Sequence, residues 1–157
     1  MTTTRIRPAQ TADLDALVGL LRILFALEED FDFDTVCQHQ GLAMMLAHEG
    51  AVIMVAEAEG RVFGMATGQL TISTAEGGAA LLVEDVVVAK KWQGLGVGRK
   101  LMKALEQWAG ERKIGRLQLL ADRKNKNGLE FYKALGWQTT ELICLRRRPT
   151  GVKFVRR

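Results

Sequence analysis

Cysteine is nearly absent. Cys37 and Cys144 are the only two in 157 residues, too few and too far apart for a disulfide framework or a cysteine-held metal. Both are expected to be buried as small apolar residues. Histidine is equally scarce: His39 and His48 lack a partner at metal-ligand spacing and read as surface or cap residues, so no metal is expected. No apolar run approaches the roughly 20 residues that span a bilayer. The N-terminal MTTTRIRPAQ lacks the apolar core of a signal peptide, so a cytoplasmic location without membrane contact is the expectation. Charge is not lopsided either. A net +4 favours anionic ligands in general, and without aromatics interleaved on a basic face nucleic acid is not an expected partner. Repeats, low-complexity tracts and linkers are all missing, so 1–157 reads as one domain large enough to bury its own core.

What is present is a clear change of period along the chain. Thr4 to Arg7 suits a short strand ended by Pro8, which has no N–H for a ladder. Leu14, Leu17, Val18, Leu21, Leu24 and Phe25 recur at helical spacing behind Thr11 as a candidate N-cap. An acidic patch follows, with Glu28, Glu29, Asp30, Asp32 and Asp34 around Phe31 and Phe33. It is either a solvated loop or the rim of a pocket that draws in a cation, with Glu28 and Asp32 as substrate contacts. A second helix is expected from Asp34 to His48 with Val36, Leu42, Met45 and Leu46 inward. AVIMVAEA and RVFGMATGQLTIS then read as an antiparallel hairpin turning at Glu59-Gly60, with Gly64 and Gly68 marking a bulge or a close backbone approach. After a loop from Ser73 to Ala80 comes an apolar strand, Leu81 to Val88. A helix follows from about Gly96 to Arg112, burying Leu101, Leu105 and Trp108, then a strand from Arg116 to Ala121. A helix closed by Gly136 leads to a strand from Trp137 to Leu145, and an edge strand is expected near Val152 to Val155. This is an α+β order, a mixed and mostly antiparallel sheet with helices on both faces.

Two features inside LLVEDVVVAKKWQGLGVGRKLMKAL carry chemistry. Glu84 and Asp85 interrupt an otherwise buried strand, and acidic side chains are seldom buried without a partner or a task. Gly94, Gly96 and Gly98 then open a helix, where exposed N–H groups and the helix dipole make an anion site. A P-loop would need a GK[ST] ending, and Gly98 is followed by Arg99 and Lys100. A dinucleotide fingerprint would come off the first strand of the domain, although Asp122 stands where a ribose-binding acid might be sought.

Gln93-Gly94-Leu95-Gly96-Val97-Gly98 resembles the Q/R-x-x-G-x-G/A pyrophosphate signature of the GCN5-related N-acetyltransferases. VEDVVV is similar to the corresponding strand of the branches acting on spermidine or spermine and on glucosamine 6-phosphate. Downstream, Asn125 to Trp137 (NKNGLEFYKALGW) is similar to the family's N-x-x-A-x-x-F-Y-x-x-x-G-F block, departing at Gly128 and Trp137. The resemblance implies the acyl-coenzyme A N-acyltransferase fold and acetyl-coenzyme A as co-substrate. The backbone of Val86, Val87 and Val88 would take the pantetheine arm on a strand splayed from its neighbour. Gln93, Gly94, Leu95, Gly96, Val97, Gly98 and Arg99 would hold the pyrophosphate, with Asn125 and Tyr132 also at the cofactor. By the same resemblance Tyr132 is the general acid beside the sulfur. Glu84 is the expected base, its pKa raised by burial and by a like charge. Alternation puts Asp85 on the opposite face, as a structural partner or a substrate contact. The expected reaction is acetyl transfer to a primary amine of a small, cationic molecule in a ternary complex. The alternatives are a non-catalytic acyl-coenzyme A binding or sensing domain and a protein or peptide N-acetyltransferase. A homodimer is expected by analogy alone.

Overall fold

The computed structural model describes residues 2–28 and 32–151. They divide into two compact units, Met1–Leu119 and Leu120–Arg157, taken in turn.

The first unit is built on a five-stranded sheet in the order β1-β2-β3-β4-β5, with β1 (Arg5–Pro8), β2 (Ala51–Ala58), β3 (Arg61–Ser73), β4 (Gly78–Val88) and β5 (Arg116–Leu119). The first four strands pair antiparallel and β5 joins β4 in parallel. β2 and β3 turn through Glu59 (φ 51°) and Gly60 (φ 73°). Two left-handed residues in succession match the twist of a two-residue hairpin, as the Glu59-Gly60 reading anticipates. The β2–β3 register slips between Ala56 and Glu57, beside Gly64. Gly68 has no Cβ because Leu81 fills its place: an added Cβ would meet Leu81 Cδ1 at 2.9 Å.

Period-two alternation sends Ile53, Val55, Met65 and Val87 into a core with Leu14, Leu17, Val18, Leu20 and Leu21 of α1 (Leu14–Leu27) and Leu42 of α2 (Thr35–Ala47). The opposite face takes α3 (Val97–Glu111), whose Leu101 packs where Gly64 lacks a side chain. Helices therefore lie on both faces of a mixed sheet, as the sequence implies. A single 3-10 turn, Thr11–Asp13, precedes α1. Thr11 does not cap it. Gln10 holds that position, and the Asp13 carboxylate accepts from the Gln10 amide at 2.7 Å. The same carboxylate takes two bonds from Arg7 (2.8 and 3.0 Å), while Arg7 also reaches Glu57 at 2.7 Å. This ties β1, β2 and the entry to α1 together. The guanidinium beside it holds the Asp13 carboxyl below the usual carboxylate range.

Other expectations need correction. Val36 does not face inward: it is 62% exposed, and only Leu42 of α2 is fully buried. Apolar residues occur all round this helix, so helical spacing alone could not choose its buried face. Cys37 and Cys144 are both exposed rather than buried, Cys37 because it sits in the outward first turn of α2. Trp108 is half-buried, covered by the Arg112 guanidinium 3.9 Å from its ring centroid. β5 stops at Leu119 and is only half-buried.

The second unit contains α4 (Lys126–Ala134). Asn125 caps it, its Oδ1 accepting from the Gly128 amide at 2.9 Å. Gly136 (φ 88°) ends it as anticipated, with the Gly136 amide bonded to the Lys133 carbonyl and the Trp137 amide to the Tyr132 carbonyl, both 3.0 Å. This is the Schellman pattern. The strand expected from Trp137 to Leu145 is not formed. A strand requires a ladder partner for its backbone groups, and none pairs with this stretch among the described residues. Leu142, at 88%, and Leu145 are consequently exposed. The expected edge strand at Val152 to Val155 lies outside the described residues, as do Glu29, Asp30 and Phe31 of the acidic patch.

Candidate active site

The ladder between β4 and β5 begins at Ala80 with Arg116 and ends at Val83 with Leu119, so among the described residues β4 runs on through Glu84 to Val88 without a partner on that side. Towards β3 the ladder breaks as well. Met65 pairs with Val87 but Thr67 pairs with Glu84, leaving Asp85 and Val86 opposite Ala66 alone. Asp85 takes up the extra residue in left-handed backbone, φ 48°, a conformation that costs most side chains energy but that Asp tolerates better than most.

The bulge defeats simple alternation at the two carboxylates. Glu84 is exposed, not buried as the base role presumes, and Asp85 is the half-buried one. Burial pushes the Asp85 carboxyl up to about 6, the Glu84 charge and then that of Glu28 add to the shift, and a hydrogen bond from Thr67 opposes it. Glu28, at the C-terminal cap of α1, thus joins Glu84 and Asp85 in one acidic neighbourhood. Asp32 is exposed. Asp34 is occupied as the N-cap of α2, accepting from the Cys37 amide at 3.0 Å. Thr67 was not singled out by sequence. It is fully buried, and a hydroxyl in the apolar run from Val62 to Leu70 was the available signal, since a buried polar group requires a partner.

Beyond β4, a single 3-10 turn, Lys90–Trp92, leads to the glycines, and Trp92 stacks on Phe63 at 4.0 Å. Gln93 is spent on structure: its amide donates to the Lys90 carbonyl at 3.3 Å, and its Nε2 donates to the Val88 carbonyl at 2.8 Å. Val88 therefore offers less free backbone than Val86, and the open row of amides starts one residue later than anticipated. The amides of Gly94, Leu95, Gly96, Val97, Gly98 and Arg99 have no acceptor among the described residues. Gly94 (φ 75°) and Gly96 (φ 77°) adopt left-handed backbone with nothing within 4 Å of an added Cβ. It is the conformation, not crowding, that requires glycine there. Unpaired amides at the start of a 15-residue helix are an arrangement able to hold an anion.

In the second unit, Tyr132 lies on α4 with its ring edge-on to Phe131 (5.1 Å) and Trp137 (6.0 Å). Asn125 commits its Oδ1 to the helix cap, and its side chain fills the space a Cβ at Gly128 would need, 2.7 Å from Nδ2. That accounts for glycine at this position. His48 caps α2, its Nδ1 accepting from the Gly50 amide at 2.9 Å, and His39 is exposed. Among the described residues no helix is long and apolar enough to cross a membrane.

Residues 17–137 match the model of the acetyltransferase (GNAT) family, a span that runs through both units. An aminoglycoside N(6')-acetyltransferase type 1 of Stenotrophomonas maltophilia is 30% identical over 106 residues, 64% of this chain and 68% of that one. N-alpha-acetyltransferase 80 of Mus musculus is 45% identical over 64 residues, covering 41% of this chain but only 19% of the relative. Among solved structures, the aminoglycoside N-acetyltransferase AAC(6')-Iy in complex with CoA superposes with a TM-score of 0.81 at 17% identity, over 94% of this chain and 96% of that one.

Proposed function

Because the chain belongs to the acetyltransferase (GNAT) family, we propose that it transfers the acetyl group of acetyl-coenzyme A to a primary amine of a small cationic molecule. The observation that carries this reading is the bulge in β4, which sets the half-buried Asp85 beside Glu84 and Glu28 on the strand that leads into the row of unpaired amides. Cations are drawn to clustered negative charge, and the aminoglycosides named for one relative are cationic amines.

Each residue then has a task. The amides of Gly94 to Arg99 bind the pyrophosphate, with Arg99 beside them for charge. The backbone around Val86 and Val87, open towards β5, takes the pantetheine arm and presents the thioester. Asp85, in place of the exposed Glu84, is the base. With a pKa of about 6 it is charged at neutral pH; the substrate ammonium first loses one proton to solvent, and Asp85 accepts the second as the neutral amine forms the new C–N bond and its nitrogen becomes more acidic. The nitrogen lone pair attacks the acetyl carbon, the C–S bond breaks, and the departing thiolate takes a proton, which by resemblance to the family's N-x-x-A-x-x-F-Y block comes from Tyr132; solvent then restores the Tyr132 proton and removes the one on Asp85. The products are the N-acetyl amide and coenzyme A.

Two measurements test the reading. Acetyl-coenzyme A at about 100 times its dissociation constant should add about 2.7 kcal/mol of stability, a rise of several degrees in Tm. Thiol release should then favour spermidine and an aminoglycoside over glucosamine 6-phosphate and a peptide N-terminus. No thermal response to acetyl-coenzyme A would overturn the co-substrate. A preference for the peptide, which the similarity to N-alpha-acetyltransferase 80 makes the necessary control, would overturn the acceptor class.

A further inference from the structure

Thr67 of β3 stands opposite the break in the ladder with β4, and its side chain has a single proton to place. Oγ1 lies 2.9 Å from the Glu84 carbonyl oxygen and 3.3 Å from Asp85 Oδ2. The residue has no solvent exposure, so its hydroxyl must find its partners within the protein. A hydroxyl can donate one hydrogen bond and accept two. Hence the proton satisfies either the Glu84 carbonyl at the bulge or the carboxylate of the residue beside it.

From this geometry we infer that Thr67 is a positioning residue for the acetyl-transfer site, a hydroxyl that turns between the bulge carbonyl and Asp85 and so couples the charge on Asp85 to the shape of β4. The inference rests on the reading of Asp85 as the base. While Asp85 is charged, Thr67 donates to it, and such charge-assisted bonds are the stronger kind. When Asp85 has taken the substrate's proton, its own O–H donates to the Thr67 oxygen and the Thr67 proton returns to the Glu84 carbonyl. The Glu84 peptide belongs to the stretch of β4 without a partner towards β5, so the rotor alternately secures and releases backbone at the thioester. The charged groups that bear on Asp85 are Glu84 on its own strand and Glu28 from the end of α1, both carboxylates. Thr67 is the one side-chain donor that reaches it among the described residues, and so it opposes both.

The experiment is a carboxyl titration that needs no substrate. With 13C-labelled aspartate carboxyls, the Asp85 resonance is assigned by its loss in Asp85→Asn and followed from about pH 4 to about pH 9 in the unsubstituted protein, Thr67→Val and Thr67→Ser. Valine keeps the shape and removes the hydroxyl, so the Asp85 midpoint should move up by about half a unit to one unit. Serine keeps the hydroxyl and should leave it in place. A midpoint unchanged or lowered in Thr67→Val, or displaced equally in Thr67→Ser, overturns the inference. If the valine variant does not fold, Thr67→Ala against Thr67→Ser reads the same difference. The base reading fails separately, on rate: Asp85→Asn acetylating spermidine as fast as the unsubstituted protein would remove Asp85 from the chemistry while leaving the Thr67 titration result intact.

Discussion

Replacing Asp85 by Asn should make the protein more stable while disabling it. The bulge holds a carboxyl that ionises at about 6 against an ordinary 3.8, so the folded state resists its charge. The gap of about two pH units is worth about 3 kcal/mol at about 1.4 kcal/mol per unit. The sign follows from proton counting. Between pH 3.8 and about 6 the folded state holds more of this proton than the unfolded chain, so stability falls as pH rises through that window and levels off above it. Asn is neutral throughout, nearly isosteric, and as tolerant of the left-handed φ as Asp. Urea unfolding of both proteins should therefore show Asp85→Asn ahead by under about 1 kcal/mol near pH 4 and by about 2–3 kcal/mol near pH 7.5, a Tm gain of roughly 4–12 °C. Other titrating groups cancel in the difference. In the acetylation assay the ascending limb near pH 6 should disappear. A stability difference that is the same at both pH values, or an Asp85→Asn protein less stable near pH 7.5, would refute the reasoning.

Three further outcomes follow from other parts of the molecule. Asp13→Ala removes the carboxylate that accepts from the Gln10 amide and one of the two carboxylates on a largely buried guanidinium, and should cost about 2–4 kcal/mol in urea unfolding. Because Arg7 depresses the Asp13 carboxyl, its contribution is complete above the ordinary carboxylate range and is lost as pH falls through the depressed value, so the deficit should shrink in acid. Gly68→Ala would push a Cβ against the fully buried Leu81 at 2.9 Å and should destabilise by about 1–3 kcal/mol, read as a lower urea midpoint with unchanged slope. Tyr132→Phe removes the only tyrosine hydroxyl in the chain. It should lower kcat by about 10²- to 10⁴-fold, with acetyl-coenzyme A affinity by calorimetry unchanged.

Much of this was readable in the residues. Helical spacing located the buried stripe of α1, from Leu14 to Leu21. Two turn residues between apolar runs located the hairpin, and the glycines at 94 and 96 announced the left-handed turn before α3. These signals are local, and local backbone chemistry expresses itself wherever the chain goes. What failed depended on partners. The side on which Glu84 and Asp85 emerge is decided by a bulge against β3, and no alternation rule contains an extra residue. Trp137 to Leu145 has the composition of a strand but nothing to pair with among the described residues. Val36 looked inward because the apolar residues of α2 are not gathered on one face, and which face is covered depends on what lies beneath it. Thr67 escaped notice because one threonine among good strand formers is ordinary until its proton is counted.

The Arg7 junction has a consequence for how the chain is made. β1 leaves the ribosome before β2, yet among the described residues β2 is its ladder partner, with Arg5 opposite Glu57. At synthesis rates of about 5–20 residues per second, the N-terminal strand waits roughly 3 to 10 seconds before its mate exists. Arg7 and Asp13 are close in sequence and can find each other in that interval, so the ion pair can hold the start of α1 in place for the strand to close upon.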